Sequence, residues 1–175
     1  INATGGGGSD TIIGGAGDDT ITGGAGADQL TGGAGADNFV QGLSDSELGV
    51  IDTAGGAAIA AGDIITFAAG VDVVTDFAAG AGGDTLGNVN GANLATTIIG
   101  ETENALAADT TYFASGTFDA NAGTFTIAAD GVGADTLIVQ AGAAGSAGLD
   151  INANQSMIVL QGVDSDNLVA GNFIA

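Results

Sequence analysis

The apolar and polar positions of the first forty residues recur every nine. Aligned without a gap, residues 5–13, 14–22, 23–31 and 32–40 each follow Gly-Gly-x-Gly-x-Asp-x-U-x, where U is a large apolar residue: Ile12, Ile21, Leu30 and Phe39. A flexible glycine linker has no reason to hold an aspartate and a large apolar side chain in register through four copies. Positions seven to nine of each copy predict a short strand. Its position-eight side chain points inward between two opposed parallel sheets, and two copies make one turn of a coil.

Beyond Val40 the texture changes. Apolar β-prone runs broken by Gly, Asn and Asp predict strands over 63–67, 71–77, 111–113, 123–128, 136–139 and 157–160. The best helical candidates are 43–50 and 93–108, although Thr96 to Ile99 is β-branched and Gly100 interrupts the second. The expected fold is therefore all-β: a short parallel β-roll, a nonapeptide solenoid, over residues 5–40, then a mainly β capping region over 41–175. Four copies give two turns, about 10 Å of coil, so its interior stays open unless the later region covers it.

Charge alters this picture more than any other property. The 175 residues include no Lys, Arg or His against 21 acids, a formal charge of −21. Such self-repulsion disfavours a compact state and excludes attraction to nucleic acid or to an anionic membrane. A divalent cation is the natural counterion. Cys is absent as well, so neither disulfides nor thiolate sites can staple the fold. No apolar run approaches the ~18 to 20 residues of a membrane helix, so no membrane insertion is expected. No basic-then-apolar leader opens the chain, and any export signal is expected elsewhere. The start at Ile1 leaves processing, excision from a longer protein and an incompletely known start all open.

The nonapeptide supplies the chemistry that the charge asks for. Glycine at positions one, two and four permits positive φ and close approach to an ion, so that carbonyl oxygens turn inward. The metal-site candidates are Gly6 and Gly8, Gly15 and Gly17, Gly24 and Gly26, and Gly33 and Gly35, with Asp10, Asp19, Asp28 and Asp37 at position six. Hard oxygen donors in a flexible cage suit Ca²⁺ better than Mg²⁺ or Zn²⁺. One loop cannot supply the six to eight oxygens calcium prefers, so sites form between loops stacked on one edge. That pairs Asp10 with Asp28 and Asp19 with Asp37, giving at least two sites. Asp18, at position five, is expected to face solvent or add outer-shell charge. Asp45, Glu47, Asp52 and Asp63 are available to line a site at the capped end, but their spacing matches no template.

These repeats resemble those of the RTX (repeats-in-toxin) exoproteins. Val74-Thr-Asp-Phe-Ala-Ala-Gly80, with Gly83-Asp-Thr-Leu86 behind it, is similar to the segment that often follows the roll. Residues 158–163 and 167–175 resemble the uncleaved secretion region of the family, which commonly closes with an apolar tail after an acid, where this chain has Asn172. The resemblance implies a bacterial protein exported by type I secretion, unfolded inside the cell and folded by calcium at the cell surface or beyond it. Mass action fits such a switch, because calcium binds only the folded state.

The missing residue types exclude most catalysis. Without His, Cys, Lys or Arg there is no Ser-His-Asp triad, thiolate nucleophile, zinc protease helix or Schiff-base lysine. Glu101 and Glu103, flanked by Asn104, read as a solvated polar loop rather than a glycosidase pair. The expected function is non-enzymatic. The first reading is a calcium-binding structural protein that resembles RTX-type surface-layer proteins. It would assemble into a homo-oligomer or polymer and be retained by a cell-surface polysaccharide. The second is the C-terminal secretion and calcium-folding module of a larger RTX protease, lipase, toxin or adhesin. A third is an adhesin tip that binds glycans through calcium.

Overall fold

The structure, a computed structural model, describes residues 1–41, 48–52, 58–68, 70–87, 94–97, 110–129, 131–140 and 156–174. The protein is all-β. Its first five strands come from the repeats: β1 (Asn2–Gly7), β2 (Thr11–Ala16), β3 (Thr20–Ala25), β4 (Gln29–Ala34) and β5 (Asn38–Val40). Four of them are six residues long rather than three, because positions one to three of the next copy stay in the ladder. Thus Ile12 pairs with Leu30 and Gly15 with Gly33 in one parallel register. The remaining strands are β6 (Leu48–Asp52), β7 (Ile64–Phe67), β8 (Asp72–Val74), β9 (Thr85–Gly87), β10 (Leu94–Thr97), β11 (Thr111–Asp119), β12 (Thr124–Ile127), β13 (Asp135–Gln140), β14 (Ser156–Leu160) and β15 (Phe173–Ile174).

Odd repeat strands enter one sheet and even ones the other, as a two-copy turn requires. The first sheet runs β1-β3-β5-β9-β15, parallel throughout. The second begins β2-β4-β8-β14 in parallel, then turns antiparallel through β13, β11, β12, β7 and β6, with β10 beside β11. Neither sheet ends at Val40: β8, β9, β14 and β15 add further rungs to the coil.

Two cores follow from this topology. Ile21, Leu30, Phe39, Val74, Leu86 and Phe173 fill the coil, and Phe39 meets Phe77 with ring centroids 6.1 Å apart. Ile65, Tyr112, Phe125 and Ile127 fill the space under the antiparallel strands. The strands β13 and β14 form the partition. Leu137, Val139, Met157 and Val159 face the second core while Ile138, Ile158 and Leu160 face the coil, the period of two that a strand buried on both sides must show.

Two helical expectations are corrected. Leu48–Asp52, at the end of the first helical segment, is β6 paired antiparallel with β7, and Leu94–Thr97, within the second, is β10 paired with β11. Gly49 weakens a helix and the β-branched Val50, Ile51, Thr96 and Thr97 favour the sheet. The rest of both segments, with Asp45, Glu47, Glu101, Glu103 and Asn104, lies outside the described residues. The described residues contain only two short 3-10 helices, Ser165–Asn167 and Ala170–Asn172, and no helix long and apolar enough to cross a membrane.

Candidate metal centre

Stacking places the four repeat aspartates in two ladders, one along each edge of the coil. On the first edge the Asp10 amide donates to Asp28 Oδ1 at 2.8 Å, and the Asp28 amide donates to Asp72 Oδ1 at 3.0 Å. On the second, Ile1 N donates to Asp19 Oδ1, the Asp19 amide to Asp37 Oδ1 at 2.9 Å, and the Asp37 amide to Asp84 Oδ1 at 2.8 Å. The structure therefore brings Asp10 to Asp28 and Asp19 to Asp37. One carboxylate oxygen of each residue in these pairs but Asp10 is taken by the ladder.

The other oxygen is not. Oδ2 of Asp10, Asp19, Asp28 and Asp37 is buried with no hydrogen-bond partner. A desolvated anionic oxygen left unpaired is destabilising by several kcal/mol. The chain has no side-chain cation to pair with it.

Backbone geometry completes the cradle. Glycines at positions two and four all have positive φ, from +92° at Gly17 to +141° at Gly35. Position one behaves differently from the sequence expectation, since Gly5, Gly14, Gly23 and Gly32 are not in that region. There glycine serves close approach: a Cβ on Gly5 would stand 2.5 Å from the Gly23 carbonyl oxygen and 2.6 Å from Asp10 Oδ2. The same collision awaits a Cβ on Gly14, from Asp19 Oδ2 and the Gly32 carbonyl. The orphaned Oδ2 atoms of Asp10 and Asp19 thus each lie beside a backbone carbonyl of the next loop on their edge, an all-oxygen, electron-rich cleft. Among the described residues no three carboxylates converge on one point, so backbone carbonyls have to supply most donors. The residues fit a hard cation and fit no nitrogen- or sulfur-seeking metal.

Residues 4–39 match, in four copies, the family model of the RTX calcium-binding nonapeptide repeat. These are RTX calcium repeats. The match covers residues 4–39 of the 175. The chain is similar over 98% of its length to the solved AlgE6R3 subunit of the Azotobacter vinelandii mannuronan C5-epimerase, at 25% identity and a TM-score of 0.52, covering 71% of that chain. No curated protein matches the chain. RTX nonapeptides bind calcium, and proteins that carry them are typically secreted. In this RTX array the position-six aspartates and the glycine carbonyls would hold the ion, which supplies the positive charge the chain lacks.

Other acids hold backbone instead. Asp18 is exposed and its Oδ1 accepts the Ala36 amide at 2.9 Å, a strap between the second and fourth loops. Asp63 Oδ2 accepts the Ala60 amide, closing a local turn away from the ladders. Asp76 accepts the Gly32 and Gly33 amides at 2.9 and 2.8 Å, one per oxygen. Burial pushes the Asp84 carboxyl above the usual range; the Ala78 and Asp37 amides pull the other way, and the Asp37 and Asp76 carboxylates raise it further. A nearby cation would lower it again.

Asn172 stands where the secretion tail of the family commonly has an acid, and the structure gives it a role no acid can fill. It is fully buried, and its Oδ1 accepts from the Gly80 and Val169 amides while its Nδ2 donates to the Gly80 and Asp84 carbonyls. A carboxylate has no donor for the last two.

The stacking also ranks the glycines. Gly15 and Gly33 share the same position and nearly the same φ, +119° and +104°. A Cβ on Gly15 meets open space, whereas one on Gly33 collides with the Gly15 backbone. Gly15→Ala is expected to cost the strain alone, about 1–3 kcal/mol. Gly33→Ala adds the separation of two loops, and its drop in melting temperature at saturating calcium should be at least twice as large. Equal shifts would contradict the stacked-loop geometry.

Proposed function

We propose that this is a bacterial extracellular structural protein, exported by type I secretion, that folds on meeting calcium and then self-assembles into a surface layer or filament through the open end of its coil. The observation that carries the reading is that end. The strands β1 and β2 are the outer strands of their two sheets, with no neighbour on one side among the described residues. Ile13 is 66% exposed there. Asp10 alone among the ladder aspartates accepts no nitrogen donor from a preceding rung among the described residues; Asp19 takes the Ile1 ammonium and the others take amides. Parallel edges and an unfilled rung favour continuation by a further strand, which in this proposal a second copy supplies. A cell-surface polysaccharide belongs to the same proposal as the retaining partner. A cleft of about 320 Å³ beside Asp10 and Asp28, lined in part by Phe118 and Gln161, is a place for a neutral sugar in this proposal.

Electron microscopy and sedimentation of the full chain with and without calcium test this. Ordered sheets or fibres in calcium, lost in Ile13→Asp, are expected; a compact monomer at high concentration in calcium would sink the proposal. A second reading, a secretion and calcium-folding module of a larger RTX exoprotein, is favoured by the likeness to a subunit of an epimerase. It predicts that compact monomer.

A further inference from the structure

Four loops stacked in pairs enclose two cages, yet four carboxylate oxygens are orphaned. Those of Asp10 and Asp19 face the third and fourth loops. Those of Asp28 and Asp37 are just as buried, at 2% and 1% residue exposure, and no nonapeptide of the matched array lies beyond them. What lies there are the segments that lead into β8 and β9.

Both segments copy the repeat. Asp28 pairs onward to Asp72 and Asp37 to Asp84, each accepting the preceding amide through Oδ1 as Asp28 and Asp37 themselves do. The Val73 and Thr85 amides donate to the Asp28 and Asp37 carbonyls, just as those of Gln29 and Asn38 donate to Asp10 and Asp19. Gly70-Val-Asp-Val-Val-Thr75 fits positions four to nine, with Gly70 at φ +93° and Val74 wholly buried in the coil. Ala79-Gly-Ala-Gly-Gly-Asp-Thr-Leu-Gly87 fits every position except the first. Gly80 and Gly82 have φ +103° and +79°, the positive values of positions two and four, and Leu86 is wholly buried at position eight.

We propose that the calcium coil has six loops rather than four, and that Asp72 and Asp84 close two further calcium cages, one on each edge, opposite Asp28 and Asp37. Neither of these loops is a perfect copy: the first matches only positions four to nine, with Phe67 and Ala68 where the repeat has glycines, and the second is longer. Nine residues, 76–84, separate Thr75 from Thr85, where six, 32–37, separate Thr31 from Asn38, and the extra length delivers Phe77 to the core. Asp84 Oδ2 also accepts the Ala78 amide. A carboxylate oxygen has two lone pairs, so that bond leaves one for a cation. The proposal rests on the calcium-folding reading above, but its failure is separable.

Equilibrium dialysis of the full folded chain should count four calcium ions. Asp72→Asn and Asp84→Asn keep an amide oxygen for the ladder and remove the charge, so each should bind three with its β-sheet circular dichroism intact at saturating calcium. Two ions in the wild type, with calcium-dependent folding retained, would overturn the extra cages alone; no bound calcium would overturn the folding reading as well. Four ions retained in either variant would remove that aspartate from the ligand set. Should a variant fail to fold, the wild-type count still decides.

Discussion

Chelation of calcium is expected to unfold this chain rather than loosen it. In a chelator the β-sheet signal should collapse, and the radius of gyration should rise from about 16 Å towards about 44 Å, the values for a folded and an unfolded chain of this length. The reason is that the negative charge buried along the ladders has no side-chain counter-charge and is left for the ion to neutralise. Twenty-one acids face no Lys, Arg or His, and four buried carboxylate oxygens lack a partner. Each cage filled at a hundred times its dissociation constant adds about 2.7 kcal/mol to the folded state. Two such cages contribute more than 5 kcal/mol, comparable to the whole stability of many domains. The antiparallel half shares β13 and β14 with the coil, so it cannot keep its own core while the coil dissolves. Unchanged scattering and dichroism in the chelator would show that the fold does not need the metal.

The part of this design that was legible in the sequence is the part with strict period. A position-eight side chain has one place to go in a two-sheet coil, and Ile21, Leu30 and Phe39 are wholly or almost wholly buried there. Strands over 64–67, 124–127, 135–140 and 156–160 were legible because their apolar, largely β-branched or aromatic runs are bounded by polar residues or glycine on at least one side. The continuation of the coil past Val40 was not. Its next rung, β8, comes only after a long excursion, and the one after that carries Ala79 where a glycine opens the other copies, so the nine-residue count breaks twice. Register in space restores what spacing along the chain conceals: Asp72 and Asp84 stand above Asp28 and Asp37 although 44 and 47 residues separate them. Asp76 was hidden for another reason. Nothing local marks an acid whose partners, the Gly32 and Gly33 amides, come from a different turn. The short strands β6 and β10 look helical in the sequence because leucine and alanine carry helix propensity, which pairing with β7 and β11 overrides.

Replacing Asp19 and Asp28 together with alanine should raise the calcium needed for β-structure by at least a hundredfold. The two residues belong to different edges and share no partner, so their effects should add. Each alanine removes an anionic oxygen from a cage and also an acceptor from the ladder. Loss of Asp28 leaves the Asp10 amide without Asp28 Oδ1, and loss of Asp19 frees Ile1 N. A charged hydrogen bond contributes about 1.5–3 kcal/mol, so each site alone accounts for roughly tenfold or more in the titration midpoint. The asparagine pair separates the two causes, since Asn keeps an acceptor for the amide but cannot neutralise calcium. If the charge is what matters, Asp19→Asn with Asp28→Asn shifts the midpoint nearly as far as the alanine pair. If the asparagine pair titrates like the wild type, the aspartates are ladder struts and the ion is held by backbone carbonyls alone. A calcium titration by circular dichroism that stays unchanged in both pairs would remove these residues from the site, and with them the physical reason for the nine-residue period.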